Sequence, residues 1–136
     1  MSPEAAREEL SRRADAIEGG YEMMLAYAAQ GLASDQGAAN SSQLRDHLKR
    51  FDAALTGLTQ TYRDCAAALG VGPSDAVDAF LKTVESDAAT TQAALRLVLA
   101  QPGISSQMID NINASIHVRA LLTDVFIIDE VLKSSK

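Results

Sequence analysis

With 136 residues, the chain has the length of a single domain and is long enough to bury its own hydrophobic core. Its net charge of −6 leaves no basic surface that would displace counterions from a nucleic acid or bind an anionic membrane, so we expect neither as a partner. The sequence has no run of about 18 apolar residues, the length of a membrane span, and its charged N-terminus lacks the apolar segment of a signal peptide. We therefore expect a cytoplasmic protein.

Four segments of the chain carry an apolar residue at every third or fourth position, a spacing typical of one face of an α-helix. The first helix is predicted to begin at Pro3 with Ser2 as its N-cap, and Ser74 is predicted to cap the third. Polar segments separate the four, including a tight connection through Gly72 and Pro73. The predicted helices cover residues 3–30, 42–69, 75–100 and 106–133.

These predicted helices are each about 25 to 30 residues long, which corresponds to about 40 Å at the rise of an α-helix. Helices of matched length that are joined by short connections pack antiparallel to their neighbours. We therefore expect an all-α fold in which residues 1–136 form one domain, an up-down-up-down four-helix bundle.

The fourth predicted helix is apolar on most of its circumference. One apolar row contains Ile109, Ile112, Ile116, Ala120, Thr123, Ile127 and Val131. A helix of a monomeric bundle faces solvent on about half of its surface, so a second apolar row would be exposed. We expect another subunit, in a homodimer, or a partner helix to cover it; the alternative is that the long first loop or the chain ends do so. The residues expected at this interface are Val118, Leu121, Leu122, Val125, Phe126, Ile128 and Leu132.

The sequence carries no recognisable catalytic or cofactor motif. A di-iron bundle needs Glu-x-x-His motifs, but the residues three positions before His47 and His117 are Leu44 and Ala114. Two histidines and one cysteine do not have the spacing of a zinc site, and Cys65 lies on an apolar row where a buried, unreactive thiol is expected. We therefore expect no catalytic residue, no metal and no cofactor.

One set of residues nevertheless predicts a polar pocket between the first and fourth helices. Adjacent glycines within a helix each cost about 1 kcal/mol relative to alanine, and they leave a notch for a bulky neighbour such as His117 or for a small ligand. The alternative is that the polar row of the fourth helix, which includes Asp110 and Asp124, is its solvated face. The residues expected to bind a ligand are Gly19, Gly20, Glu22, His47, Asn113 and His117.

The sequence thus predicts a non-enzymatic helical interaction module, such as an adaptor, a regulator or a chaperone for an assembling or exported protein. A chaperone of this kind is expected to bind an amphipathic terminal helix of its client. The first alternative is a bundle that binds a small ligand or cofactor in the polar pocket. The second alternative is an enzyme in which Glu22 and His117 act as acid and base.

Overall fold

The structure is a computed structural model that describes residues 1–71 and 74–134, and this part of the chain is helical without any strand. The predicted all-α class is therefore confirmed, but the described residues form six helices where four were predicted. The predicted connection at Gly72 and Pro73 lies outside the described residues. The helices are α1 (Pro3–Ala29), α2 (Ser41–Leu55), α3 (Leu58–Ala68), α4 (Asp75–Leu99), α5 (Ser106–Ala114) and α6 (Ile116–Lys133).

Serine side chains cap the N-termini of α1, α4 and α5. The Ser2 hydroxyl accepts a hydrogen bond from the Ala5 amide at 3.1 Å, with Pro3 in the first helical position. The hydroxyls of Ser74 and Ser105 accept equivalent bonds from amides three residues further on. Each cap satisfies an amide that has no partner within its helix, so the predicted starts at Ser2 and Ser74 are confirmed.

The predicted helix over residues 42–69 is wrong in one respect, because it is divided into α2 and α3. Thr56 is extended and Gly57 has a φ of +71°, a left-handed conformation that glycine adopts without steric cost. The division leaves carbonyl groups of α2 without intrahelical partners. The Arg13 guanidinium of α1 donates to one of them, the Ala54 carbonyl at 2.8 Å, and to the carbonyl of Thr56, the residue after α2, at 2.9 Å.

The predicted helix over residues 106–133 is also divided, at Ser115. This residue is extended, with φ −66° and ψ 139°, and its hydroxyl accepts a hydrogen bond from the Val118 amide at 3.2 Å. Serine competes in this way with the helical hydrogen bonds of the backbone and favours a new N-cap. The division lets the two parts pack differently, because α5 lies against α1 whereas α6 lies mainly against α4.

The break at Ser115 changes which side of α6 faces the core. The expected interface is corrected here, since five of its seven residues are buried within this chain: Val118, Leu121, Val125, Ile128 and Leu132. The other apolar row, which the sequence analysis followed from α5 into α6, is instead exposed after Ser115, at Ile116, Ile127 and Val131. A helix that starts again at a new cap does not keep the rotational phase of the preceding one, so the apolar row could not be extrapolated across Ser115.

An ion pair between the buried Asp35 and the half-buried Arg45 connects the loop between α1 and α2 with the segment between α4 and α5. Asp35 lies between α1 and α2, is 1% exposed, and accepts hydrogen bonds from Arg45 at 2.7 and 3.1 Å, Ser41 at 2.8 Å and the Ile104 amide at 2.7 Å. The Arg45 guanidinium also donates to carbonyls of the connection between α4 and α5. The loop predicted over residues 33–42 is thus fixed against two other segments.

Candidate functional site

The two glycines of α1 lie against α2. A Cβ atom added at Gly19 would be 3.7 Å from the His47 ring, and one added at Gly20 would be only 2.6 Å from Cδ2 of Phe51. Phe51 therefore fills the notch at Gly20, so the hypothesis that this notch holds His117 or a small ligand is replaced. Of the predicted ligand residues, the structure brings together Gly19 and His47.

The other predicted ligand residues have different surroundings. Glu22 and His117 are exposed, and within the part of the chain that the structure describes neither side chain makes a hydrogen bond or an ion pair. Asn113 is half-buried, and its amide nitrogen and oxygen are both buried without a hydrogen-bond partner. The structure does not gather these three side chains into a cleft with Gly19.

A groove of about 280 Å³ does lie between the first and last helices, and its lining along α1 ends at Glu18, next to the glycines of the predicted pocket. Its walls are formed by one stripe of α1 and by the C-terminal part of α6, and Leu69 at the end of α3 lies in its floor. We call it the α1–α6 groove. Its lining residues are Arg7, Leu10, Ser11, Ala14, Glu18, Leu69, Asp129, Leu132 and Lys133.

The α1–α6 groove has an apolar centre with charged residues at both ends. The pKa of Asp129 is raised to about 6, mainly by burial; the charge of Lys133 opposes this rise, and repulsion by Glu18 adds to it by a smaller amount. In the described part of the chain neither acid is in a salt bridge. The lining thus contains two acids, Glu18 and Asp129, and two bases, Arg7 and Lys133.

A second pair of acids lies between α4 and α6. Asp124 is 7% exposed, and its Oδ2 atom is buried without a hydrogen-bond partner. Burial, the larger cause, and the neighbouring Asp87 carboxyl group together raise its pKa to about 7. The expectation that Asp124 belongs to a solvated polar row is corrected, because α6 turns this side chain toward α4.

The solvent-facing side of α6 carries large apolar side chains. Ile116 is 73% exposed and Phe126 is 59% exposed, and Ile127 and Val131 are also exposed. We call the surface formed by Ile116, Arg119, Thr123, Phe126, Ile127, Glu130 and Val131 the α6 outer face. Only Phe126 of this surface is among the residues expected at an interface from the sequence, while the other expected residue outside the core, Leu122, is half-buried beside it.

No group of three or more His, Cys, Asp or Glu side chains in residues 1–71 and 74–134 is arranged to hold a metal ion. No helix of the same ranges is long and apolar enough to span a bilayer. Comparison with known protein families, with curated proteins and with solved structures finds no match to this chain. The assignment of a site therefore depends on the geometry described above.

Sequence reasoning did not find the α1–α6 groove or the acids within it. The signal that was available is the presence of Asp124 and Asp129 on a helix that is otherwise apolar on most sides. A carboxylate among apolar residues is unusual enough to mark either a buried acid or the edge of a groove.

Proposed function

We propose that this protein is a non-enzymatic helical interaction module that pairs with a second copy of itself through the α6 outer face. The observation that carries the proposal is the exposure of Phe126 beside Ile127 and Val131 on one helix. Exposed apolar residues that adjoin one another are typical of surfaces that bind protein, whereas single exposed ones are ordinary. Phenylalanine is also among the residues enriched in interface centres.

The charges of the α6 outer face support a second copy as the occupant. Arg119 and Glu130 are separated by eleven positions in the sequence, which is about three helical turns or 16 Å on the same face. Two such helices related by a two-fold axis run antiparallel and place Arg119 of each beside Glu130 of the other. Phe126 and Ile127 then lie near the axis, so one patch of surface complements itself, as an isologous interface requires.

The proposal includes the four-part architecture expected from the sequence. In it, α2 with α3 and α5 with α6 each serve as one bent arm of an antiparallel bundle. Two contacts support this arrangement: the Cys65 thiol lies 3.5 Å from the Ala6 carbonyl, and the Tyr27 hydroxyl donates to the Ile104 carbonyl at 2.5 Å. They join the end of α3 to the start of α1, and the end of α1 to the segment before α5.

The proposal also includes a cytoplasmic location. Its support is Cys65, a free and buried cysteine, because an unpaired thiol is compatible with a reducing compartment.

Light scattering after size exclusion tests the pairing. We expect the wild-type protein to be a dimer at tens of micromolar and the Phe126→Glu variant to be a monomer with unchanged helical content. The matched control is Leu97→Glu, which introduces the same charge at an apolar residue of α4 that is 66% exposed. We expect this control to remain a dimer. A monomeric wild-type protein, or equal loss of dimer in both variants, would contradict the proposal.

A further inference from the structure

A pocket of about 390 Å³ lies where the chain breaks between α2 and α3. Its walls are residues 55–57, the first two turns of α3 and the face of α4 from Glu85 to Arg96, and we call it the α3 pocket. The volume falls within the range of ordinary ligand sites, about 300 to 1,000 Å³. The α3 pocket is separate from the α6 outer face, because its lining residues belong to α2, α3, α4 and the connection between the first two.

The break leaves the first backbone amides of α3 without hydrogen-bond partners. Thr61 is the first residue here whose amide is satisfied, by the Gly57 carbonyl at 3.0 Å. Within the described residues the amides of Leu58, Thr59 and Gln60 make no hydrogen bond, because the N-cap is a glycine and has no side chain to accept one. Free N–H groups at the positive end of a helix dipole favour an anion.

A nearly buried hydroxyl in the wall of the α3 pocket also lacks a partner. Thr59 is only 7% exposed, and its side-chain oxygen makes no hydrogen bond within the part of the chain that the structure describes. The oxygen of Thr91 is likewise unpartnered but is sealed from solvent, whereas the Thr59 oxygen remains accessible in a residue that lines the pocket. A hydroxyl with so little exposure normally has a hydrogen-bond partner, and a ligand in the α3 pocket would supply one.

Arg63 lies one helical turn beyond Thr59 and therefore on the same face of α3. Its guanidinium is half-buried, and in residues 1–71 and 74–134 it takes part in no ion pair or hydrogen bond. The other charged residues of the lining are Arg96, which is paired with Asp52 at 3.1 Å, and the exposed Glu85. The charges of the lining nearly balance, so the class of ligand follows from the free hydrogen-bonding groups and not from net charge.

The free groups on α3 favour a phosphate group as the ligand. Three amides, a hydroxyl and a guanidinium all donate hydrogen bonds. A phosphate monoester presents three terminal oxygens and nearly two negative charges at neutral pH, whereas a carboxylate presents two oxygens and one charge. A guanidinium can also bind two phosphate oxygens at once. The methyl groups of Ala88 and Ala89, in the α4 wall, suit the carbon part of such a molecule.

We propose that the α3 pocket binds the phosphate group of a small phosphorylated molecule. The amides of residues 58–60, the Thr59 hydroxyl and the Arg63 guanidinium hold the phosphate oxygens, and the carbon part of the ligand lies against α4. The inference goes beyond the proposed self-pairing and does not depend on it, because a monomer and a dimer present the same pocket.

A titration of the whole ¹⁵N-labelled chain with phenyl phosphate, followed by nuclear magnetic resonance, tests the proposal. We expect saturable shifts of the amide signals of Leu58, Thr59 and Gln60. Benzoate is the matched probe, because it has the same ring and carries a carboxylate in place of the phosphate. We expect benzoate to bind at least about fivefold more weakly, since it accepts fewer charge-assisted hydrogen bonds.

Substitutions on α3 locate the binding. Arg63→Gln is expected to weaken binding of phenyl phosphate by about tenfold or more, because it removes a charge-assisted hydrogen bond. Its control is Arg50→Gln, which removes the same charge from an exposed residue of α2 outside the lining and is expected to change the affinity by less than about twofold. Thr59→Val keeps the shape but loses the hydroxyl and is expected to weaken binding about threefold to tenfold, whereas Thr59→Ser keeps the hydroxyl and the affinity. Phe126→Glu is expected to bind as the wild-type protein does, which separates this result from the test of self-pairing.

Three results would overturn the inference. The first is the absence of saturable shifts at the start of α3 with phenyl phosphate in the millimolar range. The second is equal affinity for phenyl phosphate and benzoate, which would remove the assignment to phosphate. The third is an equal response to Arg63→Gln and Arg50→Gln, which would show that net charge rather than the α3 pocket determines the binding.

Discussion

Replacing Asp124 by asparagine is expected to stabilise the protein at neutral and alkaline pH. The side chain is 7% exposed, and its charged form has lost most of its hydration while facing the carboxylate of Asp87. Burial first, and then Asp87, raise its pKa from 3.8 to about 7. Asparagine keeps the shape and removes the charge, and its amide group can donate a hydrogen bond to Asp87.

The direction of the pH dependence follows from the raised pKa of Asp124. In the unfolded chain this group ionises near pH 4, whereas in the folded chain it stays protonated to about pH 7. Its contribution to stability is therefore fully present below about pH 4 and is lost as the pH rises to about 7. At about 1.4 kcal/mol for each pH unit between the two values, the loss is at most about 4 kcal/mol. Asp129 acts in the same direction up to about pH 6, but less strongly because it is half-exposed.

Asp35 acts in the opposite direction at lower pH. Hydrogen bonding to Arg45 holds the pKa of Asp35 well below its usual range of about 4, so its contribution is present above that pH and is lost as the pH falls below it. The pH range in which Asp35 loses its contribution to stability lies below the range in which Asp124 loses its own. The free energy of unfolding is therefore expected to be greatest at about pH 4 to 5.

Urea unfolding followed by circular dichroism at 222 nm measures these effects, and it suits a chain without tryptophan. We expect Asp124→Asn to raise the free energy of unfolding by about 2 to 4 kcal/mol at about pH 8 and to change it little at about pH 4.5. The control is Glu85→Gln, which neutralises an exposed acid on α4 and is expected to have little effect at either pH. The reasoning is refuted if Asp124→Asn destabilises the protein at about pH 8, or if the variant keeps the wild-type dependence on pH.

Two further predictions concern packing and the loop ion pair. Asp35→Ala is expected to lower the free energy of unfolding by about 2 to 4 kcal/mol, because it leaves the Arg45 guanidinium without its partner. Asp52→Ala removes the partner of the exposed Arg96 from a partly exposed ion pair, and it is expected to cost less than about 1 kcal/mol in the same urea experiment. Equal losses in the two variants would contradict this distinction. Gly20→Ala is expected to destabilise the protein by about 1 to 3 kcal/mol in thermal unfolding, because the new methyl group clashes with a phenylalanine of α2. Gly19→Ala has space for a methyl group, so it is expected to be neutral or to stabilise the protein by up to about 1 kcal/mol. The same effect at both glycines would show that the close approach at Gly20 is absent.

The sequence predicts the helical class and most helix ends because these depend on local patterns. Apolar spacing needs only neighbouring residues, and a serine before a helix needs only the amide three positions further on. The starts at Ser2 and Ser74 follow from such patterns. The two breaks do not, because Gly57 and Ser115 interrupt rows that look continuous. At the first break, the carbonyls of Ala54 and Thr56 accept hydrogen bonds from the distant Arg13, which a local pattern does not show.

The sites were harder to predict because they depend on the rotation of each helix. A change of phase at Ser115 moved Val118 and Leu121 into the core and left Ile127 exposed, so the existence of an exposed apolar face was expected but most of its members were not. The burial of Asp124 has the same cause. A single sequence does not show which acids on a mostly apolar helix face solvent.

A charge-reversal cycle in sedimentation equilibrium tests the central claim most directly. The proposed antiparallel pairing of α6 places Arg119 beside Glu130 of the second copy. Arg119→Glu and Glu130→Arg alone are each expected to weaken the dimer, and the double variant is expected to restore it to within about twofold of the wild-type dissociation constant, since only the sign of each pair has changed. A double variant at least as weak as the two single variants would contradict pairing through the α6 outer face.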